Sequence, residues 1–261
     1  MGLNKRKEAK RVLITVLLFS ITSFIFATSI FARNPYNYPV KTIFIDPGHG
    51  GKDSGASRNY DFIDYTLNEK DINLTIANKV SSLLQARYED IRVYQTRIDD
   101  EFLSLQERSQ VCYLTPLKPK SSCLYISLHV NASNNTDAQG FEVFTKLPAV
   151  EKKIILFDEN TPFKNIPFFS CESNDELNDN LYNKSVELAT NINSSIASSF
   201  QAASNRGVKS DNLYVLNVCR NPAVLVEIAF LSNEDEARNL VDDEYLSEMA
   251  LAIFEGISKS L

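Results

Sequence analysis

The chain has only two histidines, and each stands where an apolar run breaks into polar turn residues. His49 lies in "IFIDPGHGGKDSGA" and His129 in "YISLHVNAS". Neutral imidazole is the commonest protein ligand for zinc, and two imidazoles at matching strand exits could reach one ion. A catalytic zinc site takes three protein ligands, often two histidines and a carboxylate, and leaves a fourth position open. Glu69 is the candidate third ligand, because it begins the helical face that continues through Ile72, Ile76, Val80 and Leu84. The same residue also fits a capping box, "TLNE", with Thr66 as N-cap and Glu69 folding back from the third helical position. The residue pattern leaves both readings open.

Glu227 raises a different question. It is the only charge in "PAVLVEIAFL", a run that otherwise reads as a buried strand. An isolated buried carboxylate costs several kcal/mol, so it must be paired, protonated or beside a metal. An ion pair with Arg97 or Arg108 is the structural alternative to a catalytic role. Around His49, four of the chain's eight glycines (Gly48, Gly50, Gly51 and Gly55) fall within eight positions. Gly48, Gly50 and Gly51 are expected to let the backbone turn sharply and to let a substrate approach His49 with no Cβ in the way. Asp46, at the end of the same run, is expected to accept a hydrogen bond from an imidazole and fix its tautomer.

The elements that must position these residues alternate. "KTIFID", "IRVYQTR", "CLYISLHVN", "GFEVFTK", "NLYVLN" and "AVLVEIAFL" read as strands. "NEKDINLTIANKVSSLLQAR", "LSLQERSQVCYL", "DNLYNKSVELATNINSSIASSF" and "EYLSEMALAIFEGISKSL" read as helices. The expectation is a single α/β domain over 41–261, with a mostly parallel or mixed sheet and helices on both faces. Sites in such sheets lie beyond the carboxyl ends of the strands. Residues 146–180 fit the alternation poorly. They form an acidic stretch with Pro162 and Pro167, leave the strand that follows the His129 strand, and are expected to root near the site, where they could gate it.

Residues 1–32 pair a basic segment, "MGLNKRKEAKR", with a long uncharged apolar stretch. They read as a signal peptide or an N-terminal membrane anchor, followed by a linker over 33–40. The domain is therefore expected to be exported, to a periplasmic or cell-envelope location. The net charge of −6 includes +4 from residues 1–32, which leaves −10 on the remainder and no basic surface for a phosphate backbone. That argues against a nucleic-acid partner. Four cysteines in an exported chain permit disulfides. Cys112 and Cys123 are close enough to staple a loop holding Pro116 and Pro119, while Cys171 and Cys219 could pair or stay free. A thiol hydrolase built on Cys219 or Cys123 with His129 is disfavoured, since neither cysteine sits at a helix N-terminus.

Taken in order, "IFIDPGHGGKDSGA", "NEKDINLTIANKV", "VYQTRIDDEFLSLQER", "YISLHVNAS", "GFEVF", "RGVKSDNLYVL" and "AVLVEIAFLSN" resemble the cell-wall amidase type 3 family, the zinc-dependent N-acetylmuramoyl-L-alanine amidases. The resemblance runs from about Lys41 to Leu261. It implies one Zn2+ held by His49, Glu69 and His129, with Glu227 as the catalytic carboxylate. The implied reaction is hydrolysis of the amide between N-acetylmuramic acid and L-alanine in peptidoglycan, during cell-wall remodelling and daughter-cell separation. An activator protein acting on 146–180 is a further expectation, as is a tether to the membrane through the apolar segment of residues 1–32. The chain departs from the family pattern at Ala229, usually glycine, in the cysteines and prolines before the His129 strand, and in the 146–180 insertion. The rival readings are a zinc peptidase acting on stem peptides and an inactive wall-binding or regulatory module.

Overall fold

The structure, a computed structural model, describes residues 34–153 and 173–261. Its strands are β1 (Val40–Pro47), β2 (Ser57–Arg58), β3 (Leu67–Asn68), β4 (Arg92–Gln95), β5 (Ser122–Asn131), β6 (Phe141–Thr145), β7 (Asn205–Ser210) and β8 (Ala223–Phe230). Its helices are α1 (Glu69–Arg87), α2 (Leu105–Leu114), α3 (Asn174–Ser199), α4 (Tyr214–Asn217), α5 (Glu234–Leu240) and α6 (Asp243–Ser258). Six strands form one sheet in the order β4-β1-β5-β8-β6-β7, and β2 pairs with β3 apart from it. The first four are mutually parallel, β6 runs antiparallel to β8, and β7 runs parallel to β6. The sheet is thus mixed, as expected.

The alternation of side chains along each strand divides the core into two faces. Ile43 and Ile45 of β1, Leu124, Ile126 and Leu128 of β5, and Val224 and Val226 of β8 share one cluster with buried residues of α1, α3 and α6. Phe44, Cys123, Tyr125, Ala223 and Leu225 face the other way, onto Cys112, Val215, Leu216 and Cys219. The first face is thickly covered; among the described residues the second carries only α2 and α4. By the same alternation His129, two positions beyond Ser127, and Glu227, two beyond Leu225, lie on the thinly covered face. All four residues of the expected helical face, Ile72, Ile76, Val80 and Leu84, are buried.

Several sequence expectations need correction. "NLYVLN" is not a strand: Tyr214–Asn217 is a single helical turn, and the strand is the preceding "NRGVKS". A four-residue apolar run cannot by itself distinguish these states. Residues 34–39 are not a free linker. A 3₁₀ turn at Pro35–Asn37 packs Tyr36 against Leu177 and Leu181, and the Tyr36 hydroxyl donates to the Arg220 carbonyl at 3.0 Å. α3 begins at Asn174, inside the expected insertion, behind a capping box made by Ser173 and Glu176.

The root of that insertion is also not beside the site. β6 pairs Glu142 with Glu227 but Thr145 with Val224, so it runs away from the carboxyl edge of the parallel strands. At roughly 3.3 Å per residue its end lies about 10 Å from Glu142, at the opposite edge of the sheet. There the buried Lys146 donates to the carbonyls of Leu216 and Cys219, just ahead of β8. Residues 154–172 lie outside the described residues.

One buried ion pair ties α2 to the carboxyl end of β1. Asp46 and Arg108 meet at 2.8 Å with both side chains almost fully buried. Burial would raise the Asp46 pKa, but the Arg108 guanidinium and the Thr96 and Ser127 hydroxyls hold it below the ordinary 3.8. A folded pKa lowered in this way means the stabilisation is complete above pH 3.8 and is lost only as the pH falls below that value. Removing one partner strands the other charge. Asp46→Ala and Arg108→Ala are each expected to destabilise the fold by about 3–5 kcal/mol, measured by urea denaturation at neutral pH. A loss below about 1 kcal/mol, the worth of a surface pair, would contradict the buried pairing.

Candidate metal centre

Three of the four candidate residues converge. A nitrogen of His49, an oxygen of Glu69 and a nitrogen of His129 all lie within 4.8 Å of one another, and among the described residues this is the group that could hold a metal ion. His49 comes from the turn after β1, Glu69 from the first position of α1, and His129 from the end of β5. Glu69 Oε1 lies 3.2 Å from His49 Nε2 and 2.9 Å from His129 Nδ1. These spacings suit ligands at the corners of a zinc tetrahedron, whose edges are roughly 3.3 Å for bonds near 2.0 Å. Two imidazoles and one carboxylate are also the right donor types, so the residues present fit a zinc ion.

The capping-box reading of Glu69 is therefore overturned. Asn68 is the N-cap, with no side-chain cap bond. The Glu69 carboxylate instead accepts from Val130 N at 3.2 Å, Ala56 N at 2.9 Å and Asn73 Nδ2 at 3.3 Å. Burial opposes the charge on Glu69, but the two imidazoles hold its pKa far below the ordinary 4.5. Burial likewise opposes protonation of His49, yet Glu69 and Asp53 outweigh it and raise the pKa to about 9. His129 shifts upward for the same reason, with Glu69 and Glu227 opposing burial.

Asp46 does not orient a histidine, contrary to expectation. Its oxygens are consumed by Thr96, Ser127 and Arg108. The tautomer partner is Asp53, whose Oδ2 lies 2.9 Å from His49 Nδ1, leaving Nε2 turned toward Glu69. The sequence signal was available in an acidic residue four positions after a histidine, inside the glycine-rich turn. Arg108 acts on the backbone, with Nη1 donating to the Pro47 carbonyl at 2.8 Å and Nη2 to the His49 carbonyl at 2.5 Å. Arg97 donates to the carbonyls of Pro47 and Gly48, each at 3.0 Å. Neither arginine pairs with Glu227.

Gly50 and Gly51 adopt positive φ, as the expected sharp turn requires, but the room expected for substrate is not there. A Cβ on Gly48 would come within 2.2 Å of the His129 ring, and one on Gly55 within 2.5 Å of Glu69 Oε2 and 2.7 Å of the His49 ring. The space is filled by the site's own side chains rather than kept for substrate. His49 itself adopts φ 58, a left-handed conformation that costs a non-glycine residue of order 1 kcal/mol or more.

Glu227 sits directly across the ladder from His129. The residue is partly exposed, yet its Oε2 is buried and has no hydrogen-bond partner. Burial raises its pKa to about 7; His129 and His49 pull the other way, and Glu69 and Glu142 add to the rise. Glu142, opposite Glu227 on β6, was not singled out in the sequence. Its Oε2 takes Arg206 at 2.9 Å and the Lys209 ammonium, and its Oε1 accepts from Asn131 Nδ2 at 2.8 Å. The sequence offered a faint signal, a charge beside a strand end. Ala229 is fully buried in β8, and nothing in the structure shows a consequence of its departure from glycine.

These features define a hydrolase working at the carboxyl edge of an α/β sheet. The comparisons specify which one. Residues 43–259 match the N-acetylmuramoyl-L-alanine amidase family, and the chain belongs to that family. It is 31% identical over 232 residues to the N-acetylmuramoyl-L-alanine amidase LytC of Bacillus subtilis, covering 88% of this chain and 38% of LytC. It is 30% identical to AmiC of Escherichia coli, covering 82% of this chain and 51% of AmiC. The chain thus spans about half or less of these two longer relatives. Among solved structures, the N-acetylmuramoyl-L-alanine amidase of Clostridium difficile 630 superposes with a TM-score of 0.62 at 28% identity, covering 84% of this chain and 96% of that one. The protein is a peptidoglycan amidase.

Gly48→Ala tests the geometry. The added methyl must displace the His129 ring or the turn after β1, so metal content is expected to fall below half an equivalent and the melting temperature to drop. Elemental analysis with thermal melting is the check; wild-type metal content would show that the ring is not confined there.

Proposed function

We propose that this amidase is zinc-dependent, with one ion per domain held by His49, Glu69 and His129, and with Glu227 as the general base. The observation that carries the reading is the unpartnered Glu227 Oε2, next to the His-Glu-His group. A bound zinc supplies Lewis-acid chemistry, polarising the amide carbonyl and lowering the pKa of water toward about 7.

The chain's own residues do the remainder. Glu227 takes the proton of the attacking water on Oε2 and returns it to the departing L-alanine nitrogen as the C–N bond breaks. A pKa of about 7 suits both halves of that exchange. Asp53 holds His49 by Nδ1 and keeps Nε2 for the metal. Val130 N and Ala56 N keep Glu69 ionised and fixed. The anchors on the carbonyls of Pro47, Gly48 and His49 keep the turn from drifting, since misplacement by about 1 Å can cost 100-fold in rate.

The reading includes export to the cell envelope and an N-terminal tether. It rests on residues 1–32, which lie outside the described residues; among the described ones, no helix is long and apolar enough to cross a membrane. It also includes a protein activator. The CwlD amidase from Clostridioides difficile, 27% identical with a TM-score of 0.61, was solved in complex with the GerS lipoprotein. A partner of this chain acting on 146–180 would engage a segment rooted at the sheet edge opposite the site.

Glu227→Gln is expected to retain zinc and the fold while losing roughly 10²–10⁴ in turnover on purified peptidoglycan. Loss of zinc in that variant would make Glu227 a ligand, and unchanged turnover would remove it from the mechanism. His49→Ala and His129→Ala are each expected to lose the metal, read by elemental analysis; full occupancy in either would overturn the ligand set. Mass spectrometry of wall digests should show intact stem peptides with free N-terminal L-alanine. Shortened stems still joined to muramic acid would identify a peptidase instead.

A further inference from the structure

The thinly covered face of the sheet holds three buried cysteines that the chemistry above does not use. Cys112 is in the last two turns of α2, Cys123 in β5, and Cys219 in the turn between α4 and β8. All three pack in one apolar cluster with Phe44, Tyr125 and Leu225. Cys112 Sγ lies 3.8 Å from Cys219 Sγ, and a disulfide needs about 2.05 Å. We infer that Cys112 and Cys219 are the partners of a disulfide that pins α2, the helix carrying Arg108, to the turn ahead of β8.

The Cys123 thiol also touches that of Cys112, but backbone freedom favours the Cys112–Cys219 pair over the Cys112–Cys123 staple expected from sequence spacing. Cys123 is fixed in the ladder opposite Thr42 of β1, so its backbone cannot move without disturbing the central strands. Cys112 near a helix end and Cys219 in a turn can close the remaining gap by small shifts. α2 also has the most to gain. Its capping box holds one end and Arg108 ties it to Asp46 and to the carbonyls of Pro47 and His49. Its other end is held by the packing of Val111 and Cys112 in this cluster and by Asn221 Nδ2, which donates to Cys112 Sγ at 2.9 Å. A disulfide there would clamp the helix at both ends of the Arg108 anchor.

The chemistry balances with a disulfide oxidant. One thiol is deprotonated and attacks a sulfur of oxidised glutathione or of a protein disulfide, releasing one thiol. The second cysteine then attacks the mixed disulfide and releases the other. The Cys123 thiol and burial raise the pKa of Cys112, and the Cys112 thiol and burial raise that of Cys219, which slows the reaction in the folded state. Formation therefore belongs to the folding stage, before the cluster closes, and the finished bond is shielded from reductants. An oxidising compartment is the one condition required.

The test is to refold the full-length protein in a glutathione redox buffer, trap free thiols, and map peptides under non-reducing conditions. A Cys112–Cys219 link should dominate in the wild type and persist in Cys123→Ser. Against fully reduced protein, the melting temperature should rise by on the order of 5–10 °C, as expected for closing a loop of about 100 residues. Hydrogen exchange of the 105–114 amides should slow by about tenfold or more. Neither readout depends on zinc or on activity, so the inference stands or falls apart from the amidase reading. A dominant Cys112–Cys123 link, a link to Cys171, thiols that all stay reduced, or a link without added protection of 105–114 would each overturn it.

Discussion

The site depends on keeping one buried carboxylate charged. Glu69 sits at the first position of α1 with almost no solvent, where an uncompensated charge would cost several kcal/mol. Five donors converge on it from four separate places: the two imidazoles, Asn73 on its own helix, Ala56 after the glycine turn, and Val130 at the end of β5. Each of those segments must stop where it does for its donor to reach. The helix N-terminus adds a favourable partial charge to the same end. Helix start, turn shape and strand exit are thus one constraint, because losing any of them leaves an ion in a dry place.

That constraint explains the second layer around it. The turn bearing His49 has no helix or strand of its own to hold it in shape, and His49 occupies a left-handed conformation. Its carbonyls are held instead by two guanidinium groups: Arg97 on Pro47 and Gly48, Arg108 on Pro47 and His49. Fixed charges aimed at backbone carbonyls suit a site that must be rigid before substrate arrives. The ion pair of Arg108 with Asp46 links this loop to the carboxyl end of β1 and, through Ser127, to β5.

Much of this was legible from residue types. Long periodic segments such as α1 and apolar runs such as β5 and β8 declared themselves, and scarce chemistry-bearing residues at their ends marked the site. Legibility failed where the decisive partner is remote in sequence. "TLNE" has the local pattern of a capping box, and only the arrival of His129 and Val130, about 60 positions on, turns Glu69 away from the backbone. Asp46 looked like a histidine partner because it was nearby, but Arg108 claims it from 62 positions away. The short spacing of Cys112 and Cys123 suggested a staple, but gave no sign that the sheet also brings Cys219 against Cys112. The glycines were read as room for a ligand because a sequence cannot show that the room is already taken.

Glu142 shows how the sheet tunes Glu227. A second carboxylate directly across the ladder from Glu227 would, if bare, repel its charge and push its pKa further upward. Glu142 is not bare: Arg206 and Lys209 reach it from the edge strand, and Asn131 donates from the end of β5. Its negative charge is therefore largely spent locally, and Glu227 is left at about 7, mainly through burial. A neutral residue at 142 would remove the small remaining repulsion but would leave Arg206 and Lys209 unpaired near the metal centre, where their positive charge would draw Glu227 toward its ionised form and also oppose binding of a cation. The antiparallel strand β6 thus supplies an acid whose function is to cancel the bases beside it, and the mixed sheet has an electrostatic consequence that an all-parallel reading of the strands would have missed.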